Sequence, residues 1–262
     1  MARNLENDKI HMHQEDAIST KIWVDKLKKD SARVFIKDKL DLPPPGLTLQ
    51  EDVFILCIQT PFQLDAFQRL GNDFIGIDAT HNVTHYQDIQ LSTIIARDRW
   101  GHGVPVAWML TSRMTSATIS FFLSWVRDAS PAVQPAIIMT DRDYAQIKAL
   151  RVVYPQSRIF LCKWHILRAI QSHFVTTEFP ELWDWIKEWI STDDLFRFID
   201  LWYKIATDPS VPVSVVQYLA TEWMPEVHMW SRLGRRGRLI FQEGDTNMLI
   251  ERYVNDFYQL IR

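Results

Sequence analysis

Hydrophobic and polar positions along this chain follow two regimes that meet near residue 165. Before that point, short apolar runs stop at turn signals. Phe74-Ile75-Gly76-Ile77 ends on Asp78, and Ile137-Ile138-Met139 ends on Thr140-Asp141. Runs of this length read as buried strands. Ile75–Asp78 is thus a first strand, Ile89–Ala96 a second and Val104–Leu110 a third, with Gly101-His102-Gly103 as the hairpin turn between the latter two. Ile119, Phe122, Leu123 and Val126 then recur at helical spacing, predicting an amphipathic helix over Thr115–Val126. Ala136–Thr140 returns as a strand, a helix runs from Asp143 through Val153, and Arg158–Leu161 is the last strand. The expected order is three antiparallel strands, helix, strand, helix, strand.

After His165 the β signal fades and tryptophans gather: Trp183, Trp185, Trp189, Trp202, Trp223 and Trp230. Pro180 opens a helical pattern of Leu182, Trp185, Ile186 and Trp189, repeated by Leu195, Phe198, Ile199 and Trp202. These aromatics lie on apolar stripes and read as packing rather than base-stacking surfaces. Upstream of the sheet, Ile18, Ile22 and Leu27 suggest a surface helix, and Pro43-Pro44-Pro45-Gly46 a rigid spacer. Leu49–Leu70 reads as two short helices broken at Pro61. The expected organisation is therefore a helical segment with a Pro-rich spacer over 1–70, an α/β core over 71–165, an all-helical insertion over 166–245 and a closing helix over 246–262.

Composition narrows the setting. With 262 residues and 47% hydrophobic content, the chain can bury a full core. It has no apolar run near the roughly twenty residues that span a bilayer, so no membrane partner is expected. Its charged N-terminus lacks a signal-peptide core, and Cys57 and Cys162 cannot build a disulfide framework, so an intracellular, non-secreted protein is expected. Net charge is −3, so any nucleic-acid partner must be held by local basic patches. The candidate patch holds Arg232, Arg235, Arg236 and Arg238 beside Gly234 and Gly237; a solvated loop is the competing reading.

Asp78 and Asp141 sit where open α/β sheets bind ligands, beyond strand tips. A third acid, Glu251, follows the N-cap residues Asp245, Thr246 and Asn247, on a helix whose apolar stripe is Ile250, Tyr253, Val254, Phe257 and Ile261. Three acids so placed could share metal ions. Taken singly, each reads more often as a turn or cap residue than as a catalyst. Asp143 competes with Asp141 but reads as the N-cap of the next helix; Glu226, Glu243 and Asp245 compete with Glu251. Cys162 and His165 supply half of a tetrahedral zinc site, with no clear further ligands, so structural zinc is not expected. Cys57, in an apolar setting, reads as core.

The ordered set Asp78-Ala79-Thr80-His81-Asn82, Gly103-Val104-Pro105-Val106-Ala107-Trp108, Thr140-Asp141, Cys162-Lys163-Trp164-His165 and Thr246-Asn247-Met248-Leu249-Ile250-Glu251 resembles the catalytic core of Mutator-like element (MULE) transposases, within the ribonuclease-H-like DDE superfamily. The resemblance runs from about Phe74 to Glu251. It implies a ribonuclease-H-like mixed five-stranded sheet flanked by helices, interrupted by the helical insertion before the last catalytic helix. It also implies metal-dependent DNA strand cleavage and strand transfer at Asp78, Asp141 and Glu251, with two Mg²⁺ or Mn²⁺ ions as cofactors. Asp78 would bridge both ions, and Asp141 and Glu251 would each complete one shell. Cys162 and His165 match the family's Cys-x-x-His signature. DNA, as transposon ends and target, is the implied partner, with a homo-oligomer left open; His81 would lie beside the metal site or on DNA. A nuclear location follows by resemblance only. Past Glu251 the expected His and Lys are missing, and no Cys/His module precedes the core, which implies shortened flanks. Two other readings stay open: a catalytically silent transposon-derived DNA-binding or scaffolding protein, and a metal-dependent nuclease that does not transpose.

Overall fold

The computed structural model describes residues 12–42, 49–80, 86 and 88–235. Its centre is a seven-stranded, mostly antiparallel sheet: β1 (Arg33–Lys37), β2 (Ile55–Gln59), β3 (Phe74–Thr80), β4 (Gln90–Arg97), β5 (Gly103–Thr111), β6 (Ile137–Thr140) and β7 (Arg158–Leu161). The strands lie in the order β1-β2-β5-β4-β3-β6-β7. β3, β4 and β5 form the expected meander, and the β4–β5 turn is closed by Asp98 and Gly101 rather than by Gly101–Gly103 alone. Asp98 Oδ1 accepts from the Trp100 and His102 amides, while Gly101 takes a positive φ of 84°. β6 then pairs in parallel with β3, and β7 in parallel with β6.

The sheet exceeds the expected five strands by two, both from the N-terminal segment. β2 replaces the first of the two helices expected over Leu49–Leu70, and β1 lies where no element was expected. Pro61 does not break a helix; it opens one. The Thr60 side chain caps α2 (Pro61–Leu70) through the Gln63 amide, and Gln63 returns the bond to the Thr60 amide. The first helix, α1 (Asp16–Lys29), is present, but Ser19 and Val24 face inward while Ile18 and Ile22 are exposed. It is the expected surface helix. The Pro43–Gly46 spacer lies outside the described residues.

The helices α3 (Ser116–Ala129) and α4 (Tyr144–Val153) begin at Thr115 and Asp143, whose side chains accept from backbone amides one turn on. With α2 they cover one face of the sheet, where Phe67, Ile119, Phe122, Leu123, Val126, Leu150 and Val153 pack on Ile75, Ile77 and Ile138. Strand alternation sends Phe74, Ile137, Met139, Phe160 and Cys162 to a smaller cluster apart from that core. Beyond β7, residues 163–235 are helical and hold no strand among the described residues: α5 (Lys163–Gln171), α6 (Pro180–Ser191), α7 (Leu195–Thr207), α8 (Val213–Tyr218) and α9 (Val227–Trp230). Their core centres on Trp189, Trp223 and Trp230, all buried, with Trp183, Trp185 and Trp202 packed partly buried around it.

The N-terminal hairpin is anchored by a buried cation. Lys37 is 1% exposed, and its Nζ donates to the carbonyls of Asp38 (3.2 Å), Glu51 (2.6 Å) and Val53 (3.1 Å). Lys37→Met keeps most of the side chain's length and bulk but strips these carbonyls of their donor. The expected loss is about 2 kcal/mol or more, from the usual cost of orphaned buried polar groups. Urea unfolding should show a lower midpoint at unchanged slope.

Candidate active site

Register decides what comes together at the strand tips. The parallel β3–β6 ladder pairs Phe74 with Ile137, Ile75 with Ile138 and Gly76 with Met139, a constant offset of 63 (139 − 76 = 63). The same offset carried on by two residues brings Asp78 level with Asp141 (78 + 63 = 141). The β6–β7 ladder pairs Met139 with Phe160, an offset of 21, which brings Asp141 level with Cys162 (141 + 21 = 162). The Cys162 amide, bonded to the Thr140 carbonyl at 2.8 Å, carries that pairing past the end of β7. Level residues on neighbouring strands lie about 4.8 Å apart and project to one face. Asp78 thus lies two residues past the last β3–β6 pair, and Asp141 and Cys162 directly follow β6 and β7, in line with the face that carries Phe74, Met139 and Phe160.

Asp78 stands within β3, which continues to Thr80, so the strand outruns the expected end at Asp78 by two residues. It is 9% exposed, and its Oδ1 accepts from the Ala79 amide at 3.0 Å. Asp141 lies in the turn between β6 and α4. Its Oδ1 accepts from Gln146 Nε2 at 3.2 Å. Cys162 is buried at the start of α5, and His165 follows within the first turn of that helix. Burial, and then the nearby Arg168, lower the His165 pKa below its ordinary 6.5.

These residues lie in one recognisable segment. Residues 74–169 match the MULE transposase domain. The matched span holds Asp78, Asp141, Cys162 and His165 and ends within α5. Among solved structures, the chain is similar to one from the simian T-cell lymphotropic virus intasome in complex with PP2A regulatory subunit B56 gamma, at 17% identity and a TM-score of 0.25. That alignment covers 57% of this chain and 48% of the other, so the chain spans about half the length of that neighbour. No protein of curated function matches.

Within this matched segment, two residues that spacing did not single out shape the site. Gln146, 2% exposed on α4, points its amide nitrogen at Thr140 Oγ1, Asp141 Oδ1 and the Ile77 carbonyl (3.5 Å). One side chain thus ties the backbone beside Asp78 to the carboxylate of Asp141. Arg142, next to Asp141, reaches the helical segment instead. Its guanidinium donates to Glu226 Oε2 at 3.1 Å and to the Glu222 carbonyl at 2.7 Å and carboxylate at 3.1 Å, and it lies over the Trp223 ring. Glu226, an alternative to Glu251 in the sequence, is committed to this ion pair. Asp143, the alternative to Asp141, is the N-cap of α4, as expected.

Of the remaining candidates, Arg235 donates to the Leu161 carbonyl at 2.9 Å and lies over the Phe160 ring, which holds it against the tip of β7. Arg232 stands 3.8 Å from Asp193. His81, Arg236, Arg238 and Glu251 lie outside the described residues. Among the described residues no group of three or more His, Cys, Asp or Glu is gathered in metal-binding proximity.

Two outcomes test this geometry. Gln146→Leu removes the donor shared by the two strand tips and should cost about 1–3 kcal/mol in chemical denaturation. Lys148→Leu, an exposed position on the same helix, is the control and should be nearly neutral. His165 should make the fold acid-sensitive. With its folded pKa lowered from 6.5, its contribution is present above that value and is lost as pH falls through the lower folded value. Melting temperatures between pH 7 and pH 5 should therefore fall less in His165→Asn than in the wild type.

Proposed function

We propose that the chain is a MULE-type DDE transposase catalytic domain of ribonuclease-H-like architecture, cutting and joining DNA with divalent metal. The observation that supports this reading is the register that brings Asp78 level with Asp141 inside the segment matching the MULE transposase domain. Carboxylate oxygens suit hard Mg²⁺ or Mn²⁺, and acids on neighbouring strand ends could share ions of a two-metal site. Asp78 and Asp141 would hold the ions, with Glu251 as the third ligand. When bound, the ions activate the attacking oxygen and stabilise the leaving oxygen of a phosphodiester.

The protein's own part is positioning. Gln146 fixes the Asp141 carboxylate, and the Arg142 ion pairs hold the following residues against the helical segment. Lys163, Arg168, Arg232 and Arg235 put positive charge around the end of β7 and the start of α5, where DNA phosphates approaching the acids would need neutralisation. This local basic flank answers the objection from net charge. A nuclear location accompanies the reading.

The test is conversion of supercoiled plasmid to nicked or linear DNA in millimolar Mg²⁺ or Mn²⁺. Wild-type protein should nick, and Asp78→Ala, Asp141→Ala and Glu251→Ala should each reduce the rate by at least about 100-fold, as expected for groups on which transition-state stabilisation depends. Metal should also raise the melting temperature of the wild type but not of Asp78→Asn. DNA binding without nicking, and with a melting curve indifferent to metal, would instead establish the catalytically silent DNA-binding protein.

A further inference from the structure

From Tyr144 through Thr177 the chain carries five lysines and arginines, Lys148, Arg151, Arg158, Lys163 and Arg168, and no Asp or Glu, although its net charge is −3. This stretch of one sign spans α4, β7 and α5. On α5 the buried stripe holds Ile166 and Ile170, while Trp164, Leu167, Arg168 and Gln171 share a second stripe at i, i+3, i+4 and i+7. Of these, Trp164, Arg168 and Gln171 are exposed and Leu167 is half-buried. The four line a surface hollow of about 320 Å³, and the Trp164 side of it is open, with that residue 40% exposed. The ring is nonetheless held in place: the Arg168 guanidinium lies over it at 5.0 Å, and the His165 ring meets it edge-on at 4.8 Å.

We propose that this hollow receives an unpaired nucleotide of DNA, with its base stacked on Trp164 and its phosphate neutralised by Arg168. A nucleotide carries in one unit what the lining offers to bind: a flat π face for the indole, an anion for the guanidinium and a hydrogen-bonding base edge for the Gln171 amide. No carboxylate in the lining would repel the phosphate. Bases inside a duplex are stacked on one another and present no open face to a protein ring, so the nucleotide that fits is one outside the stack, at a frayed or single-stranded end.

The hollow stands close to the candidate acids. α5 begins directly after Cys162, whose amide bonds the Thr140 carbonyl beside Asp141, and Trp164 is two residues further on. Lys163, between them, borders a second hollow with Arg232 and Arg235, so positive charge continues from the Trp164 stripe towards the tip of β7. Trp189, Trp223 and Trp230 are buried in the helical core and offer no such face. Trp100 is exposed at 66%, but it lies in the β4–β5 turn, beyond the end of the sheet where Ala96 pairs with Ile75, away from Asp78. The inference deepens the DNA-binding part of the proposed function and does not need its metal chemistry.

The experiment is equilibrium binding of the full chain in EDTA, read by fluorescence anisotropy, to a blunt duplex, the same duplex with an unpaired tail, and the duplex with an abasic tail of equal length. The unpaired tail should tighten binding at least about fivefold, the low end of what one stacked base contributes. The abasic tail keeps the phosphates and should lose most of that gain. Trp164→Ala should abolish the gain and Trp164→Phe should retain most of it, both with unchanged far-ultraviolet circular dichroism, while Trp100→Ala should leave it intact. A 2-aminopurine in the tail should be quenched by the wild type and not by Trp164→Ala. Equal binding of normal and abasic tails, a gain that survives Trp164→Ala, or an equal loss in Trp100→Ala overturns the inference and leaves the DNA reading standing. An RNA tail bound more tightly than the DNA tail overturns DNA as the ligand. Absence of binding to all three duplexes also overturns it, and plasmid nicking then decides the proposed function on its own.

Discussion

The parallel pairing of β3 with β6 is the constraint on which the site depends. Asp78 stands within β3 and Asp141 directly follows β6, so the pairing of the two strands sets the height of each. Three paired positions, Phe74 with Ile137 through Gly76 with Met139, set the offset that brings Asp78 beside Asp141. A one-residue slip would send one carboxylate to the opposite face. That slip is resisted by burial on both sides, because Ile75, Ile77 and Ile138 enter the main core while Phe74, Ile137 and Met139 fill the smaller cluster. Packing of apolar side chains thereby determines the relation between two polar ones.

Gln146 and Arg142 connect this register to the rest of the molecule. Gln146 comes from α4, which packs on α3, and reaches the backbone beside Asp78, Thr140 and Asp141 together. Arg142 reaches the other way, into a stretch where α8 passes through a π turn at Leu219–Trp223 and a short 3₁₀ turn at Met224–Glu226. The irregular backbone offers the Glu222 carbonyl to Arg142, and Pro225 has no N–H to compete for it. The tryptophan core is thus joined to the strand tips through one arginine, and movement of the helical segment would be felt at the residue next to Asp141.

The helical segment is built differently from the sheet. Its core is aromatic: Trp189 contacts Phe198, Trp202 and Trp230, and Trp230 donates from its indole nitrogen to the Trp223 carbonyl at 2.7 Å. Such large side chains satisfy several helices at once. The same segment leaves one face of α7 apolar and open, although α7 is firmly seated by Phe198, Leu201 and Ile205. The excess is one of surface rather than of core.

Much of the sheet could be read from the chain because its strands are short apolar runs ended by turn residues. β3 to β7, the capped starts of α3 and α4 and the helical character beyond His165 all follow from local pattern. β1 and β2 did not, since Arg33–Lys37 and Ile55–Gln59 gain strand character only by pairing with each other and with β5 across long intervals of sequence. α1 was legible as a surface helix, with its buried contact through Val24 decided by packing. For the site, the sequence marked Asp78, Asp141, Cys162 and His165 as chemically notable. It could not show the register that lines up the ends of β3, β6 and β7, because register is a relation between strands and not a property of either. Nor could it single out Gln146 or Arg142, ordinary polar residues on a helix and in a turn. Their roles arise only where the tertiary structure brings a buried amide to a carboxylate and a guanidinium to two distant glutamates.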